Sequence, residues 1–505
     1  MTPNRAAALI TLCYGVLGVL WINFSDQALL ALVEQPELLT QLQTYKGLTY
    51  VLVTAVMLYA LVYSALMRER TLNEQDALTH LLNRHMFSRD LDIELKFSKK
   101  QDQPLVLVLL NIDGFKQINS NASIQSGDRY LKEFALLLRN HFQQRVIIGR
   151  TGGDEFAVAL PATLWPDGVI PILEKLQQRV RQLPVENLPD LHLTVSIGIA
   201  LFPRDGDCSR TLIDEASLAL EEAKAAGSNH IRTYRAAYRE HANHRARLLM
   251  DLKRALAVDE LSVMYQPQFS ATSNLITGVE VLLRWQHPQH GWISPDQFIP
   301  LAEQHGVISE ITDFVMRRAL HELHQQKLLY HEVKRVSFNV SAADFNSERS
   351  LERFLRNLDG LHGGWSLVQL ELTETSALLN MERIKTVLSG LRERGVQVSL
   401  DDFGTGYSSL STLRQLPIQE LKIDKSFIRD IGNNLSDAKI VRTILAMANA
   451  LNLRVVAEGV ETPQQARFLQ QEGCQEMQGY LYARPMTIDA LVNFIGNHNT
   501  TRKQF

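Results

Sequence analysis

Two long apolar runs near the start of the chain dominate its hydropathy pattern. Residues 6–24 and 48–66 are mostly apolar and uncharged, and as helices each would be about 28 Å long, close to the thickness of a bilayer core. Arg5 precedes the first run and Arg68 follows the second, so the positive-inside rule places both flanks on the cytoplasmic side of a membrane. The pattern predicts two transmembrane helices in a membrane anchor at residues 1–67. A cleaved signal peptide would explain the first run only.

Between residues 68 and 236, short apolar runs alternate with amphipathic stretches. Three runs indicate strands and one stretch has helical spacing: "LVLVLLNID", "RVIIGRTGGDEFAVAL", "LTVSIGIALF" and "GDRYLKEFALLLRNHF". Gly152 and Gly153 separate two strand-like runs and predict a hairpin turn, with two acids after it. The pattern predicts an α+β domain with a largely antiparallel sheet.

From residue 237 to 505, strand-like runs alternate with long amphipathic helices. Eight runs can be distinguished: "LSVMYQP", "ITGVEVLLRW", "RVSFNVS", "LVQLELTE", "VQVSLDD", "ELKIDK", "LRVVAEG" and "MQGYLYA". Eight strand–helix units in about 260 residues predict a TIM-like barrel. The fold class expected for the whole chain is therefore a multidomain α/β protein.

Polar side chains interrupt or end these eight runs, and most of them are carboxylates. They are Gln266, Glu280, Asn339, Glu371, Asp401, Asp402, Lys422, Glu458 and Gln478. The carboxyl ends of parallel strands meet at one mouth of a barrel, so we expect these groups to lie close together. Solvated strand ends would explain one or two of them, but unpaired carboxylates are rarely buried. Oxygen ligands without thiols favour two Mg²⁺ or Mn²⁺ ions, which predicts a phosphodiesterase.

Composition restricts the possible partners only slightly. The length of 505 residues suggests two or three domains. The 45% hydrophobic content and net charge of −3 exclude a disordered chain and a basic binder of nucleic-acid polymers. Cys13, Cys208 and Cys474 lie far apart, so neither a disulfide framework nor a zinc cluster is favoured.

Five segments of the middle region resemble, in order, the GGDEF domains of the diguanylate cyclase family. They are "DALTHLLNR", "FKQIN", "GD", "GGDEF" and "SIGIA". The resemblance implies a nucleotidyl-cyclase-like fold whose half-site binds one GTP. It places Asp154 at a metal ion, Gly152 and Gly153 in the phosphate-side turn, Asn119 and Asp128 at guanine, and Lys116 and Lys224 near the phosphates.

The middle region departs from this family where the metal is bound. Asn111 stands where the family has an aspartate as second metal carboxylate, and an amide lacks the charge that the chemistry requires. Asp113 lies two residues on, on the same face of the strand, but is not expected to replace it. Ser228 replaces a usual arginine. We expect a degenerate domain that binds GTP and makes little or no product.

The C-terminal region closely resembles EAL domains, the cyclic di-GMP phosphodiesterase family. The segments that carry the resemblance are "YQP", "EVLLRW", "FNVS", "ELTET", "DDFGTGYSSL", "LKIDKSFI", "VVAEGVE" and "QGYLYARP". The resemblance implies that one metal is held by Glu280, Asn339, Glu371 and Asp401, with Asp401 bridging to a second ion at Asp402 and Glu458.

The same resemblance assigns the remaining roles at this site. Lys422 would position the attacking water, and Glu458 or a metal-bound hydroxide would accept its proton. The remaining contacts are Gln266 and Arg284 to substrate phosphates, Gln478 to the water shell, and Glu374 to the "DDFGTGYSSL" loop, which couples the metals to dimerisation.

The sequence therefore predicts an enzyme that hydrolyses cyclic di-GMP to linear pGpG with Mg²⁺ or Mn²⁺ at a two-metal site. GTP is expected as a regulatory ligand, and the chain is expected to form a homodimer through its EAL domain at a bacterial inner membrane. Two alternatives remain. A bifunctional cyclase and phosphodiesterase would require Asn111 to be tolerated, and a receptor without catalysis would normally lack a metal ligand, whereas the set is complete here.

Overall fold

The structure of the chain is a computed structural model. It describes residues 15–16, 18–25, 27–28, 36–142, 146–162, 168–186, 188, 191–345, 347–359, 364–374, 376, 381–404, 413–431 and 435–502. The chain divides into two compact units, Met1–Ala242 and Asn243–Phe505. Each unit has hydrophobic clusters of its own.

The prediction of two membrane-spanning helices is wrong. Within the residues that the structure describes, no helix combines the length and the apolar character needed to cross a bilayer. The second apolar run belongs to a longer helix, α1 (Pro36–Glu74), and polar and charged residues occupy both ends of that helix. Residues 6–14 and 17 of the first run lie outside the described residues. The two-pass anchor at residues 1–67 and the inner-membrane location are corrected accordingly.

After α1, the first unit is built around a six-stranded sheet. Its elements are β1 (Leu82–Asn83), α2 (Arg84–Gln101), β2 (Leu105–Asp113), α3 (Phe115–Asn121), α4 (Ile124–His141), β3 (Ile147–Gly152), β4 (Glu155–Pro161), α5 (Ile170–Arg181), β5 (Thr194–Phe202), α6 (Ser209–Ala225), β6 (Ile231–Thr233) and α7 (Ala236–Ala255). Helix α7 ends beyond the boundary of the unit.

The sheet has the strand order β1-β3-β4-β2-β5-β6. Strand β2 pairs antiparallel with β4 and β5, and β3 pairs antiparallel with β4, whereas β1 and β6 add parallel edges. The central strand β2 is buried over almost its whole length because helices cover both faces of the sheet. Helices α4 and α5 pack on one face and α2 and α6 on the other.

The second unit contains the remaining elements. They are β7 (Leu261–Ser270), β8 (Ile276–His287), β9 (Gly291–Ile293), α8 (Pro295–Gln304), α9 (Ile308–Gln325), β10 (Val336–Asn339), α10 (Glu348–Asp359), β11 (Val368–Thr373), α11 (Met381–Glu393), β12 (Gln397–Phe403), β13 (Glu420–Ile423), α12 (Lys425–Arg429), α13 (Leu435–Ala450), β14 (Arg454–Ala457), α14 (Pro463–Gln471), β15 (Glu476–Met477) and α15 (Ile488–Arg502).

Eight of these strands close a barrel. The sheet order is β10-β11-β12-β13-β14-β15-β7-β8-β9, and the additional pairing of β10 with β8 closes the ring. All neighbouring pairs from β8 through β10 to β15 are parallel, but β7 runs antiparallel to both β15 and β8. The barrel therefore differs from a TIM barrel in the direction of its first strand.

The eighth predicted strand is much shorter than its apolar run. Only Glu476–Met477 pair as a strand, and the chain continues as a turn. Gly479 approaches the backbone of Val460 so closely that an added Cβ would lie 2.2 Å from the Val460 carbonyl oxygen. This contact holds the turn against the segment that follows β14.

Candidate functional site

A buried lysine lies at the centre of the acidic groups at the barrel mouth. Lys422 on β13 is fully buried, and its Nζ lies 2.6 Å from Glu458 Oε1 and 2.7 Å from Glu371 Oε2. Asp401 Oδ2 and Glu280 Oε2 follow at 3.4 Å and 3.6 Å. Four carboxylates thus share one ammonium group, because the carboxyl ends of four parallel strands meet here.

The four carboxylates outnumber the one ammonium group, and this excess of negative charge shifts the pKa values of the acids and of Lys422. Burial, together with the negative charge of Asp401, raises the pKa of Glu458 to about 8, although Lys422 opposes the shift. Burial likewise raises the pKa of Asp401 to about 6 and that of Glu371 well above its ordinary value. Burial opposes the charge on Lys422, but the four acids raise its pKa well above the usual range. The site needs additional positive charge to ionise fully at neutral pH.

A second ionic cluster, at the opposite end of the same barrel, has equal numbers of acidic and basic side chains. Arg335 and Arg454 lie there with Glu420 and Glu476, at the amino ends of the strands. Arg454 Nε lies 2.6 Å from Glu420 Oε2, and Arg335 Nη1 lies 3.4 Å from the same oxygen. Two guanidinium groups neutralise two carboxylates, so no further ion is required. Of these two clusters of described residues, only the one at the mouth has an excess of acids.

Amide side chains fix the orientation of one of the acids at the mouth. Asn339 Nδ2 donates to Glu280 Oε1 at 2.9 Å, and Gln478 Nε2 donates to Glu280 Oε2 at 2.5 Å. Gln478 also donates to Gln266 Oε1 at 3.0 Å. Burial raises the pKa of Glu280, but Lys422 and these two hydrogen bonds outweigh it, so the pKa lies below its ordinary value. Glu280 is therefore the acid that stays ionised most readily.

The donor set fits a divalent cation. Asp401, Asp402 and Glu458 form, among the described residues, the one acidic group whose ligand oxygens all lie within 4.8 Å of one another. Asp402 has a left-handed φ of 54°, a conformation that is uncommon for residues other than glycine and that also occurs in turns and helix caps. Glu371 Oε1 is buried and has no hydrogen-bond partner in the part of the chain that the structure describes. Hard oxygen ligands of this kind suit Mg²⁺ or Mn²⁺.

The loop after β12 is partly described. The backbone N–H of Gly404 donates to Glu374 Oε2 at 3.2 Å, and the Asp402 N–H donates to Asp401 Oδ1 at 2.9 Å. The continuation of the "DDFGTGYSSL" segment at residues 405–410 lies outside the described residues. Glu374 therefore contacts the start of this loop.

A cavity of about 500 Å³ opens beside the acidic groups. Its polar lining includes Arg284, and its apolar wall is formed by side chains of α8 and α9, among them Ile299, Ile311 and Met316. Burial lowers the pKa of Arg284, although the negative charges of Glu280 and of a Tyr480 phenolate would raise it. The sequence analysis missed the apolar wall, because its residues look like ordinary core positions of amphipathic helices.

The first unit contains the second predicted site, at the tip of the β3–β4 hairpin. Gly153 has a left-handed φ of 51°, and no atom lies within 4 Å of the position where its Cβ would be. Arg150 Nε and Nη2 donate to the Gly153 carbonyl oxygen at 2.9 Å and 2.7 Å, while its Nη1 donates to Asp76 Oδ1 at 3.0 Å. The predicted hairpin is confirmed, and Asp154 lies in its half-exposed turn.

Asp113, the acid two residues after Asn111, has hydrogen-bond partners for both of its side-chain oxygens. Asp113 Oδ1 accepts from Ser196 Oγ at 2.7 Å, and Oδ2 accepts from Thr194 Oγ1 at 2.7 Å and from the Asn229 N–H at 2.9 Å. Both oxygens are therefore committed to the sheet. Asn111 is buried on β2, with Glu155 and Ser196 as its partners on the neighbouring strands.

The remaining predicted nucleotide contacts lie on helices of the same unit. The Asn119 side chain lies over Gly127, where an added Cβ would be 2.2 Å from Asn119 Oδ1, and this brings Asn119 next to Asp128. Lys116 on α3 and Lys224 in the last turn of α6 are both exposed.

Two family models match the chain, in the same order as the two sites. The model described as "Diguanylate cyclase, GGDEF domain" matches residues 73–230, and the model described as "EAL domain" matches residues 250–485. An uncharacterized protein of Mycobacterium bovis is 34% identical over 446 residues, which cover 87% of this chain and 71% of that protein. The chain belongs to the tandem GGDEF–EAL family.

Two relatives from Pseudomonas aeruginosa have names that state an activity. The "Cyclic di-GMP phosphodiesterase NbdA" is 36% identical over 427 residues, which cover 84% of this chain and 54% of that protein. The "Bifunctional diguanylate cyclase/cyclic di-GMP phosphodiesterase MucR" is 37% identical over 418 residues, which cover 83% of this chain and 61% of that protein. This GGDEF–EAL chain thus spans little more than half the length of these relatives.

Proposed function

We propose that the EAL domain hydrolyses cyclic di-GMP to linear pGpG at a site that holds two Mg²⁺ or Mn²⁺ ions. The observation that carries the proposal is the surplus of buried acids around Lys422, which the balanced cluster at the other end of the barrel lacks. The relationship to a protein named as a cyclic di-GMP phosphodiesterase supports the choice of substrate. We assign the GGDEF domain to residues 68–236 and the EAL domain to residues 237–505, and we expect a homodimer through the latter.

The residues that would hold the ions are already grouped at the mouth. Asp401, Asp402 and Glu458 are close enough to share one cation, and the other proposed ligands are Glu280, Asn339 and Glu371. Bound divalent ions would polarise the phosphodiester and lower the pKa of a water molecule. The unpartnered Glu371 Oε1 supports its assignment as a ligand.

The side chains around this position suit hydrolysis of a phosphodiester. The oxygen of a water attacks phosphorus, and the water proton passes to Glu458. The bond to the 3′ oxygen breaks, and this oxygen takes up a proton from Glu458 or solvent to leave as the 3′-hydroxyl of pGpG. Glu458 is the acid of this group closest to Lys422 Nζ, at 2.6 Å, and its carboxylate is proposed as the proton acceptor. Lys422 orients the water and stabilises the developing negative charge. Arg284 and Gln266 contact the phosphates, and Gln478 holds Gln266 and Glu280 in place.

The GGDEF domain is proposed to bind GTP and to regulate this reaction. Its glycine turn is open and braced by Arg150, which supports nucleotide binding. Its second acid is replaced by Asn111, and Asp113 is committed to other partners, which argues against synthesis. Asp154 and the nucleotide contacts Lys116, Asn119, Asp128 and Lys224 are retained in the sequence.

The experiment measures pGpG formation by the full chain with cyclic di-GMP and Mg²⁺, with and without GTP. We expect hydrolysis that requires the metal, that is lost in Glu371→Gln, and that changes when GTP is added. Lys439→Met, on an exposed position of α13, is the control for a harmless change. A folded protein that binds cyclic di-GMP but produces no pGpG with Mg²⁺ or Mn²⁺ would instead be a receptor.

A bifunctional enzyme is the second candidate, because MucR carries that name. The variant Asn111→Asp distinguishes the two by restoring the charge at this position. We expect the native chain to convert GTP to cyclic di-GMP at most very slowly, and the variant to be about tenfold faster or more, because a metal carboxylate is regained. Equal and rapid synthesis by both proteins would show that asparagine is sufficient.

A further inference from the structure

An exposed aromatic ring lies beside the mouth of the barrel, in the turn that replaces the eighth predicted strand. Tyr480 is 50% exposed. The guanidinium carbon of Arg484 lies 4.2 Å from the centre of its ring. An arginine at this distance is attracted by the ring and holds one side of it. The half-exposed ring is therefore oriented and still accessible to a ligand.

The turn that carries this ring is fixed to the proposed active site. The Gln478 N–H donates to the Ala457 carbonyl at 2.9 Å, and the Leu481 N–H donates to the Val460 carbonyl at 3.0 Å. Gly479 between them contacts the Val460 backbone. The side chain of Gln478, two residues before Tyr480, donates to Glu280 at the mouth. The position of the ring is thus determined by the same segment that orients a proposed metal ligand.

The turn that carries the ring also lies near the cavity. Its residue Gln478 donates to Glu280, and Glu280 and Arg284, both on β8, line that cavity. In contrast, Tyr482 in the same turn stacks on Phe269 at 4.9 Å between ring centres. Of these two tyrosines, Tyr482 packs against another ring and Tyr480 is half exposed.

Cyclic di-GMP has the chemistry that such a ring would recognise. The molecule carries two guanines on one sugar–phosphate ring, and in its extended conformation they lie far apart, so one of them needs a surface outside the apolar cavity wall. Nucleobases stack on aromatic rings whatever their hydrogen-bonding pattern. An arginine behind the ring adds a positive charge on the side away from the ligand.

We propose that Tyr480, held by Arg484, is a stacking platform for one guanine of cyclic di-GMP at the mouth of the barrel. The inference rests on the proposed function and adds a substrate-positioning residue that lies outside the cavity and the acidic cluster. Stacking of this kind corresponds to about a 5- to 150-fold change in binding.

The test compares Tyr480→Ala, Tyr480→Phe and Arg484→Ala in the full chain. We expect Tyr480→Ala to raise KM for cyclic di-GMP at least fivefold with a much smaller change in kcat, and Tyr480→Phe to retain the native KM because the ring remains. Arg484→Ala should raise KM less than Tyr480→Ala does. Activity on bis(p-nitrophenyl) phosphate, a diester without a nucleobase, should fall far less than activity on cyclic di-GMP.

The matched control is Tyr330→Ala. Tyr330 is 54% exposed and lies before β10, at the end of the barrel opposite the mouth. We expect no change in KM from this variant, and melting temperatures show whether each variant is folded. A KM within twofold of the native value for Tyr480→Ala, or an equal loss with both substrates, would overturn the proposal.

Calorimetric titration of cyclic di-GMP without added metal separates the proposed stacking on Tyr480 from the proposed hydrolysis. If the native chain binds the dinucleotide but forms no pGpG once Mg²⁺ or Mn²⁺ is supplied, the proposed function fails, while a weaker affinity of Tyr480→Ala would still support the platform. Equal affinities of the native chain and Tyr480→Ala would reject the platform even in an active phosphodiesterase.

Discussion

Lys422 forms ion pairs with four acids, three of them buried, and its removal should affect both stability and catalysis. Removal of one partner from a buried ionic cluster costs about 3–5 kcal/mol. We expect Lys422→Met to lower the free energy of unfolding of the metal-free protein by this order and to reduce hydrolysis about 100-fold or more.

Chemical denaturation with and without Mg²⁺ checks this expectation. The ion should restore part of the lost stability, because it brings positive charge to the same acids. Lys439→Met should leave both quantities unchanged. A fully stable metal-free Lys422→Met protein would show that the acids do not depend on the ammonium group.

Glu458 predicts how the stability of the metal-free protein depends on pH. Its pKa is raised from 4.5 to about 8 and that of Asp401 from 3.8 to about 6, so the folded state binds these protons more tightly than the unfolded chain does. Their contribution to stability is complete below about pH 4 and is lost as the pH rises through about 8. We expect the free energy of unfolding to fall between pH 5 and pH 9.

The matched variant is Glu458→Gln, which cannot titrate at this position. Its free energy of unfolding, measured in chelator-treated samples, should decrease less steeply over the same pH range. Identical slopes for the variant and the native protein would place the responsible group elsewhere.

At the level of single residues, the sequence could predict which acids are candidates but not how they share charge. Glu280, Glu371 and Asp401 were found because each ends or interrupts an apolar strand. The distances from their oxygens to Lys422 depend on how the barrel closes, and strand pattern does not contain that information. Tyr480 was missed for a related reason, because its run looked like a buried strand.

Among the elements, the β3–β4 hairpin illustrates how a turn is held for binding. Arg150 joins the Gly153 carbonyl to Asp76. Burial of Asp76 would raise its pKa, but hydrogen bonds from Thr79 and the charge of Arg150 lower it below the ordinary value. The sequence motif predicted the turn correctly. The ion pair between Arg150 and Asp76 that supports the turn joins residues 74 positions apart, so it could not be predicted from local spacing.

We expect Arg150→Ala to loosen this turn. The change should lower the stability of the GGDEF domain by about 1–3 kcal/mol and weaken GTP binding about five- to tenfold. Calorimetry with GTP and hydrogen exchange at residues 150–155 measure the two effects. Arg89→Ala, which removes an exposed pair with Asp90, is the control and should change neither.

The direction of strand β7 in the barrel is a second feature that the alternation of strands and helices did not predict. Alternating strands and helices favour a uniformly parallel barrel, yet β7 is antiparallel to both neighbours. The first two strands are joined by a short connection without a helix, which allows only an antiparallel pair. The short connection can be seen in the sequence between "LSVMYQP" and "ITGVEVLLRW". The TIM-like prediction nevertheless followed the regular alternation of strands and helices in the later units.

For the whole molecule, two units with separate cores predict two ligand-specific transitions in thermal unfolding. The acidic cluster belongs to one unit and the glycine turn to the other. Mn²⁺ should raise the melting temperature of the EAL transition, and GTP that of the GGDEF transition, because a ligand stabilises the unit that binds it. Differential scanning calorimetry of the full chain tests this. A single transition that both ligands shift equally would show that the units unfold together.

The sequence was most misleading where apolar length alone was used. Residues 48–66 met the criterion for a membrane span, but the helix that contains them extends from Pro36 to Glu74 and carries charged residues near both ends. No helix of the described chain meets the combined requirement. Motif order was more reliable because it depends on many positions, and both domain types were recognised from it.

The bonds of Asp113 have a consequence for inheritance. Since the oxygens of this neighbour are already hydrogen-bonded within the sheet, a second metal carboxylate on β2 would have to come from position 111. Codons for asparagine and aspartate differ only in their first base, so a single point mutation supplies the acid.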